Sequence, residues 1–157
     1  MRLQMISKLQ VKSSIGYGVA MAVSVAFFLL SEPSLRDSPI PWVAGLGATL
    51  ASLGFGWVFG KWYVPAHGER PTFELALCPP LTLLLSLAAG LVLLWAWAWA
   101  AEPSEPQPLM GLLAFLGFGF YAFLGAAWPA VVLSFGAVGA WLALGSRAAP
   151  NNSFKPT

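Results

Sequence analysis

The residues that could carry chemistry gather in one polar segment, which runs from Lys61 to Cys78. It contains His67 and Cys78, the single histidine and the single cysteine of the 157 residues. A thiol activated by an imidazole is a common enzymatic nucleophile, and Glu74 would share a helical face with Cys78 because four residues separate them. Two prolines follow the cysteine directly, however, and an isolated buried cysteine is usually inert. We therefore expect a solvated loop beside an unreactive thiol, with a membrane enzyme that uses His67 and Cys78 as the least favoured alternative.

Other kinds of catalytic or metal site find no support in the sequence. One cysteine excludes an intrachain disulfide and a CxxC pair, and one histidine leaves too few ligands for a conventional zinc site. Ser134 lies in an apolar run that has no histidine to activate it. The apolar runs contain no ionisable residue that could relay protons. The sequence therefore predicts no catalytic, cofactor-binding or metal-binding residue, and no cofactor.

The elements around the polar segment are predicted to be helices in a lipid bilayer. Hydrophobic residues make up 58% of the chain and charged residues only 9%, against roughly 45–50% and 25% in soluble domains. So few charged side chains could not keep the surface of a soluble domain in water. The net charge of +2 is small and dispersed, which argues against a nucleic-acid partner. We predict an all-α fold, a polytopic transmembrane helical bundle.

Prolines divide the apolar runs into predicted spans. Pro79 and Pro80 place the start of the third span near Leu81, because proline favours the first turn of a helix. The run from Leu109 to Gly145 would be about 55 Å long as one helix, against a hydrocarbon thickness of about 30 Å, and Pro129 offers a break. We therefore predict a basic tail over 1–14, a single transmembrane domain over 15–146 and a disordered tail over 147–157. The five predicted spans cover about 15–31, 40–60, 81–101, 109–126 and 129–145.

Charged and aromatic residues favour different span counts. Basic residues prefer the cytoplasmic side, so the N-terminal tail with Lys8 and Lys12 is predicted to lie inside. Four spans would leave only Arg36 outside, whereas five would also move Arg147 and Lys155 there. One continuous last helix would carry Trp128 towards the bilayer centre, although tryptophan prefers the interfaces, and we therefore predict five spans with four as the alternative. The predicted interfacial anchors are Trp42, Trp62, Trp95, Trp97, Trp99 and Trp128.

Small residues at four-residue intervals predict close packing of the first two spans. Such residues share one helical face and let two helix backbones approach closely. We expect the two ribbons to clasp each other within the chain, and the alternative is a homodimer face. The predicted packing residues are Gly18, Ala22 and Ala26 in the first span, and Ala44, Ala48, Ser52, Gly56 and Gly60 in the second.

The segment from Asn151 to Thr157 resembles the C-terminal ends of many unrelated bacterial hypothetical proteins that are borne on gene cassettes. The resemblance covers no part of the predicted membrane domain. It implies a bacterial accessory gene and a tail without selected structure. Together with the basic N-terminal tail, it predicts a bacterial inner-membrane protein with a cytoplasmic N-terminus.

Many spans and no chemical site predict a function without catalysis. We expect an accessory, assembly or interaction protein that contacts copies of itself or another membrane protein. The alternative is a small oligomeric transporter or channel with a path lined by hydroxyl and aromatic side chains. In size and small-residue packing the chain is similar to small multidrug transporters, but no residue between Ile15 and Leu30 matches their membrane-embedded glutamate.

Overall fold

The computed structural model describes residues 2–36, 38–63, 72–101 and 108–147. Its helices are α1 (Arg2–Ser31), α2 (Pro33–Arg36), α3 (Pro39–Gly60), α4 (Thr72–Ala101) and α5 (Pro108–Arg147), with a 3-10 turn (Lys61–Tyr63) directly after α3. No strand occurs in these four ranges, and the predicted all-α fold is confirmed. His67 and the segment from Asn151 to Thr157 lie outside the described residues.

The local sequence explains where α1 ends and α3 begins. Pro33 follows the last residue of α1 closely and cannot donate a backbone hydrogen bond, so it does not continue the helix. Ser38 caps α3, because its Oγ accepts a hydrogen bond from the Ile40 N–H at 3.3 Å. Pro39 takes the first position of α3, where an N–H group is not needed. The chain reverses here, and α3 returns along α1.

The four long helices form an antiparallel bundle. Helices α1 and α4 each pack against both α3 and α5, whereas α3 and α5 do not approach each other over the described ranges. Gly60 of α3 lies against Gln10 of α1, and the Nζ atom of Lys12 lies 5.9 Å from the ring centre of Trp141 in α5. The start of α1 and the ends of α3 and α5 therefore share one end of the bundle, which we call the lysine end. The opposite end, where α1 meets α2, we call the Glu32 end.

Many large apolar side chains lie on the surface of this bundle. Leu30, Phe118 and Leu133 are each more than two-thirds exposed, which would favour aggregation in water but suits a hydrocarbon solvent. Each long helix contains a segment that is long and apolar enough to cross a membrane. These segments are Lys8–Ser31, Pro39–Tyr63, Ala76–Ala100 and Gly111–Leu144.

The prediction that the third helix starts near Leu81 is wrong, because α4 begins at Thr72 and continues through Pro79 and Pro80. Each proline removes one hydrogen bond from the helix. The ring of Pro79 lies against α5, in the space that a side chain on Gly139 would occupy. Packing against a neighbouring helix therefore accommodates a residue that would end an isolated helix.

The predicted helix break at Pro129 is also wrong, since α5 is one helix of 40 residues from Pro108 to Arg147. A proline within a helix removes one hydrogen bond. A hairpin at this point would instead leave several N–H and C=O groups unpaired at each new helix end, which is costly where no water can bind them. The bundle therefore has four long helices in place of the five predicted spans. Arg147 returns to the lysine end, as the charge pattern of the four-span alternative requires.

The continuous α5 keeps Trp128 away from the middle of the bundle. Tyr121 and Ala126 line a shallow surface pocket together with Glu32, so Trp128 lies within about one helical turn of that level. Its side chain is 61% exposed. A helix of 40 residues is about 60 Å long, and its midpoint lies near the Glu32 end because its N-terminal part continues along α4.

Candidate functional site

A cluster of polar side chains is buried near the lysine end, and we call it the tyrosine cluster. Tyr17 of α1 and Tyr63 of the 3-10 turn place their hydroxyl oxygens 2.5 Å apart, and both side chains are almost completely buried. Cys78 of α4 belongs to the same cluster of buried residues. Its Sγ atom is 4.0 Å from the carbonyl oxygen of Phe59 in α3. The tyrosine cluster therefore joins three parts of the chain that are far apart in sequence.

Gly139 of α5 closes the tyrosine cluster from the fourth side. A Cβ atom at this position would lie 3.7 Å from the Tyr17 hydroxyl oxygen and 3.8 Å from that of Tyr63. It would also lie 2.8 Å from Cγ of Pro79, which is closer than real Cβ contacts allow. Glycine therefore lets α5 approach the cluster. Helices α1, α4 and α5 and the 3-10 turn after α3 all meet at this point.

The geometry favours a structural role for the tyrosine cluster. Cys78 is fully buried, in agreement with the interpretation of its thiol as inert, while the proposed base His67 lies outside the described residues. The described ranges hold no group of three His, Cys, Asp or Glu residues that could bind a metal ion. The two hydroxyls bond to each other, which offsets the cost of burying them. The arrangement holds helices together and offers no exposed reactive atom.

Tyr17 and Tyr63 were not singled out by the sequence analysis. A hydroxyl within an apolar segment needs a partner, so each tyrosine signals a polar contact. The partner is 46 residues away along the chain, and neither spacing nor composition indicates it.

The predicted clasp between the first two spans is present between α1 and α3. The Ser14 Oγ donates a hydrogen bond to the Leu53 carbonyl oxygen at 2.7 Å. At Gly56 the two backbones nearly touch, because a Cβ atom there would lie 2.8 Å from the carbonyl oxygen of Ser13. Gly60 is packed in the same way on Gln10.

The ribbon of small residues on α3 packs against two different helices. Gly56 and Gly60 face α1, whereas Ala44 and Ala48 face Gly90 of α4. Residues four apart drift by about 40° around a helix, so the ribbon turns through about 160° between Ala44 and Gly60. Ser52, which lies between the two groups, is buried.

The predicted ribbon on α1 is correct at Gly18 and wrong at Ala22 and Ala26. Gly18 is buried against Leu53, but the two alanines are exposed. The same drift of about 40° per step carries them off the face that contacts α3. Val25 takes over the contact and packs on Gly45 of α3.

A second polar contact joins α1 to α5. The Ser24 Oγ donates to the carbonyl oxygen of Ala20 at 2.8 Å and lies 3.2 Å from the Ser134 Oγ. Ser134 also lies 3.3 Å from the same carbonyl oxygen. Neither serine has a histidine beside it in the described ranges, so the pair works as an interhelical hydrogen bond.

One predicted tryptophan anchor lies at the lysine end, and the other five lie in α3, α4 and α5. Trp62 lies at the lysine end, where its ring packs on Phe59 at 4.8 Å between ring centres. Trp95 and Trp99 stack on each other in the last turns of α4, with ring centres 6.1 Å apart and planes 8° apart. The exposed anchors are Trp42, Trp97, Trp99 and Trp128. Their role at the membrane interfaces stays a prediction.

Comparisons of the chain with models of known protein families, with curated proteins and with solved structures give no match. The class of protein therefore follows from the fold and the surface alone. It is an antiparallel helical bundle with four helices that are long and apolar enough to cross a membrane.

Proposed function

We propose that this chain is a small multi-span membrane protein that acts by association with another membrane helix, without catalysis. The observation that carries the proposal is a face of α5 that the bundle leaves uncovered. Gly117, Gly125 and Gly136 are exposed, and a Cβ atom at any of them would meet no other group within 4 Å.

These three glycines differ from two other glycines of the same helix. Gly119 and Gly139 accommodate Leu91 and Pro79 of α4, so their lack of a side chain serves packing within the chain. The exposed glycines serve no such contact in the described ranges. Each costs about 1 kcal/mol of helix propensity relative to alanine.

The exposed glycines lie on one continuous face. Successive members of this face are three or four residues apart, which is the spacing of one side of a helix. The face contains Gly117, Tyr121, Gly125, Trp128, Val132 and Gly136. Small residues let a second helix approach closely in a membrane, and the aromatic residues between them add contact area. This pattern supports association through α5.

Association is tested by crosslinking in native membranes. The variant Gly125→Leu fills the face, and Gly54→Leu is its matched control because Gly54 is exposed on α3 with equally open surroundings. We expect a defined crosslinked species for the wild type and the control, and at least a tenfold loss for Gly125→Leu. Equal crosslinking in all three chains, or none in the wild type, would contradict the proposal. Identification of the crosslinked species distinguishes a second copy from a different membrane protein.

We further propose a bacterial inner membrane as the location, with the N-terminus in the cytoplasm. Lys8, Lys12 and Lys61 lie at the lysine end, and basic residues favour the cytoplasmic side. The resemblance of the C-terminal segment supports the bacterial origin.

A further inference from the structure

A cavity of about 160 Å³ lies inside the bundle, in the half nearer the Glu32 end. All four long helices contribute to its wall, from Val25 in α1, Ala44 in α3, Leu91 in α4 and Phe115 in α5. A cavity of roughly 150 Å³ lined by apolar side chains is known to hold a molecule of the size of benzene. The space is therefore large enough for a short stretch of hydrocarbon.

The lining of this cavity is chemically uniform. The residues that form it are aliphatic, aromatic, proline or glycine, and none of the described hydroxyl groups opens into it. Water needs several polar partners to be stable inside a protein, so an apolar cavity of this size stays dry. Atoms that face an empty space also lose dispersion contacts. An apolar occupant would restore them.

Small residues create the cavity on two opposite walls. Ala44 and Ala48 form the wall on α3, and Gly119 and Ala122 form the wall on α5. Helices α3 and α5 do not approach each other in the described ranges, which leaves the space between these two walls. On the α3 side, Ala44 and Ala48 serve both the close packing of α3 on α4 and the wall of the cavity.

The position of the cavity indicates which apolar molecule can reach it. Every residue in its wall belongs to a segment that is apolar enough to cross a membrane. Along α3 the wall extends from Ala48 to Ile40, a distance of about 12 Å. The cavity is partly open, and Ile40, at 47% exposed, is the residue of its wall that lies at the protein surface. At that surface the surrounding medium is lipid hydrocarbon.

We propose that the cavity binds the end of one lipid acyl chain, which enters beside Ile40. The chain end fills the space between α3 and α5 and lies against Leu87 and Leu91 of α4. This site is distinct from the proposed association face of α5, because Ala122 lines the cavity whereas Gly125 does not.

The proposal is tested with a phospholipid that carries a photoactivatable diazirine near the end of one acyl chain. The full-length protein is placed in phosphatidylcholine nanodiscs with this lipid, irradiated, and digested for mass spectrometry. We expect adducts at Leu87 or Leu91, which are 5% and 7% exposed, in addition to adducts at the exposed Leu133. Labelling of Leu133 reports contact with bulk lipid in the same sample.

Two variants fill the cavity from opposite walls, namely Ala122→Leu and Ala44→Leu. Each is expected to lower the labelling of Leu87 and Leu91 at least fivefold while that of Leu133 stays unchanged. The matched control is Ala140→Leu, on the exposed surface of α5, which should leave both labels unchanged. Two filling variants are used so that a folding defect in one does not decide the result, and circular dichroism identifies such a defect.

The proposal is overturned if the wild type shows adducts only at lipid-facing residues such as Leu133. It is also overturned if a folded filling variant labels Leu87 and Leu91 as strongly as the wild type. Failure of this experiment leaves the association through Gly125 untouched, because that association is measured by a different substitution and a different readout.

Discussion

The contact between α3 and α4 predicts that the substitution Gly90→Ala destabilises the bundle. A Cβ atom on residue 90 would lie 2.5 Å from the carbonyl oxygen of Ala44, 2.8 Å from the amide nitrogen of Ala48 and 2.9 Å from the Cβ of Ala48. All three atoms belong to the backbone or are fixed to it. No change of side-chain rotamer can therefore make room for the added methyl group.

The magnitude follows from two opposing effects. Alanine is better than glycine within a helix by about 0.8–1.0 kcal/mol. Overpacking of a well-packed interior typically costs about 1–3 kcal/mol, and this site lies at the upper end because the helices themselves must separate. The shortest distance has to grow from 2.5 Å to at least 3.4 Å before the contact is ordinary. We therefore expect a net loss of about 1–2 kcal/mol in the free energy of unfolding.

The matched control is Gly54→Ala on α3. Residue 54 is exposed, and a Cβ atom there meets nothing within 4 Å. Only the helix-propensity effect remains, so this variant should be unchanged or more stable by up to about 1 kcal/mol. Both free energies are measured in mixed detergent micelles by titration with sodium dodecyl sulfate, with circular dichroism as the readout. A Gly90→Ala chain that is as stable as the Gly54→Ala chain would refute the reasoning from backbone contact.

Three further predictions concern the lysine end and the topology. In a double-mutant cycle of Tyr17→Phe and Tyr63→Phe, equilibrium unfolding should show a coupling energy of about 0.5–1.5 kcal/mol. The reason is that each hydroxyl loses its partner when the other is removed. Additive effects of the two single substitutions would contradict the hydrogen bond. Cys78 is fully buried, so a maleimide should label it at least a hundredfold more slowly in the folded protein than after denaturation. Rapid labelling of the folded protein would contradict the buried position. A reporter that works only in the cytoplasm is expected to be active when it is fused after Thr157, because four spanning helices return the chain to the side of its N-terminus. Activity only of a reporter that works on the opposite side would restore the five-span prediction.

The helix breaks show where reasoning from the sequence meets its limit. Proline is a reliable signal next to a polar segment, and Ser38 with Pro39 does begin α3. At Pro79 and Pro129 the same signal fails, because the cost of one missing hydrogen bond is small compared with that of new helix ends in an apolar medium. Whether a proline ends a helix therefore depends on its surroundings, which the neighbouring helices provide.

The faces through which the helices pack could also be predicted only in part from the sequence. The spacing of small residues predicted correctly that α1 and α3 pack at Gly18 and Gly56. It did not predict that α3 would divide its ribbon between two helices, or that Ala22 would be exposed. A four-residue repeat defines a face that rotates along the helix. Only the positions of the partner helices decide which part of that face is covered.

Composition alone determined that this chain forms helices with apolar surfaces, because a chain with so few charged residues must satisfy its backbone groups internally wherever water is absent. The tertiary structure decided the rest. It brought Tyr17, Tyr63 and Cys78 together from separate segments, left the exposed glycines of α5 without a partner in the described ranges, and formed a partly open apolar cavity between α3 and α5. The physical reason is that contacts between distant residues depend on how whole helices cross, and this depends on shape complementarity along their full length.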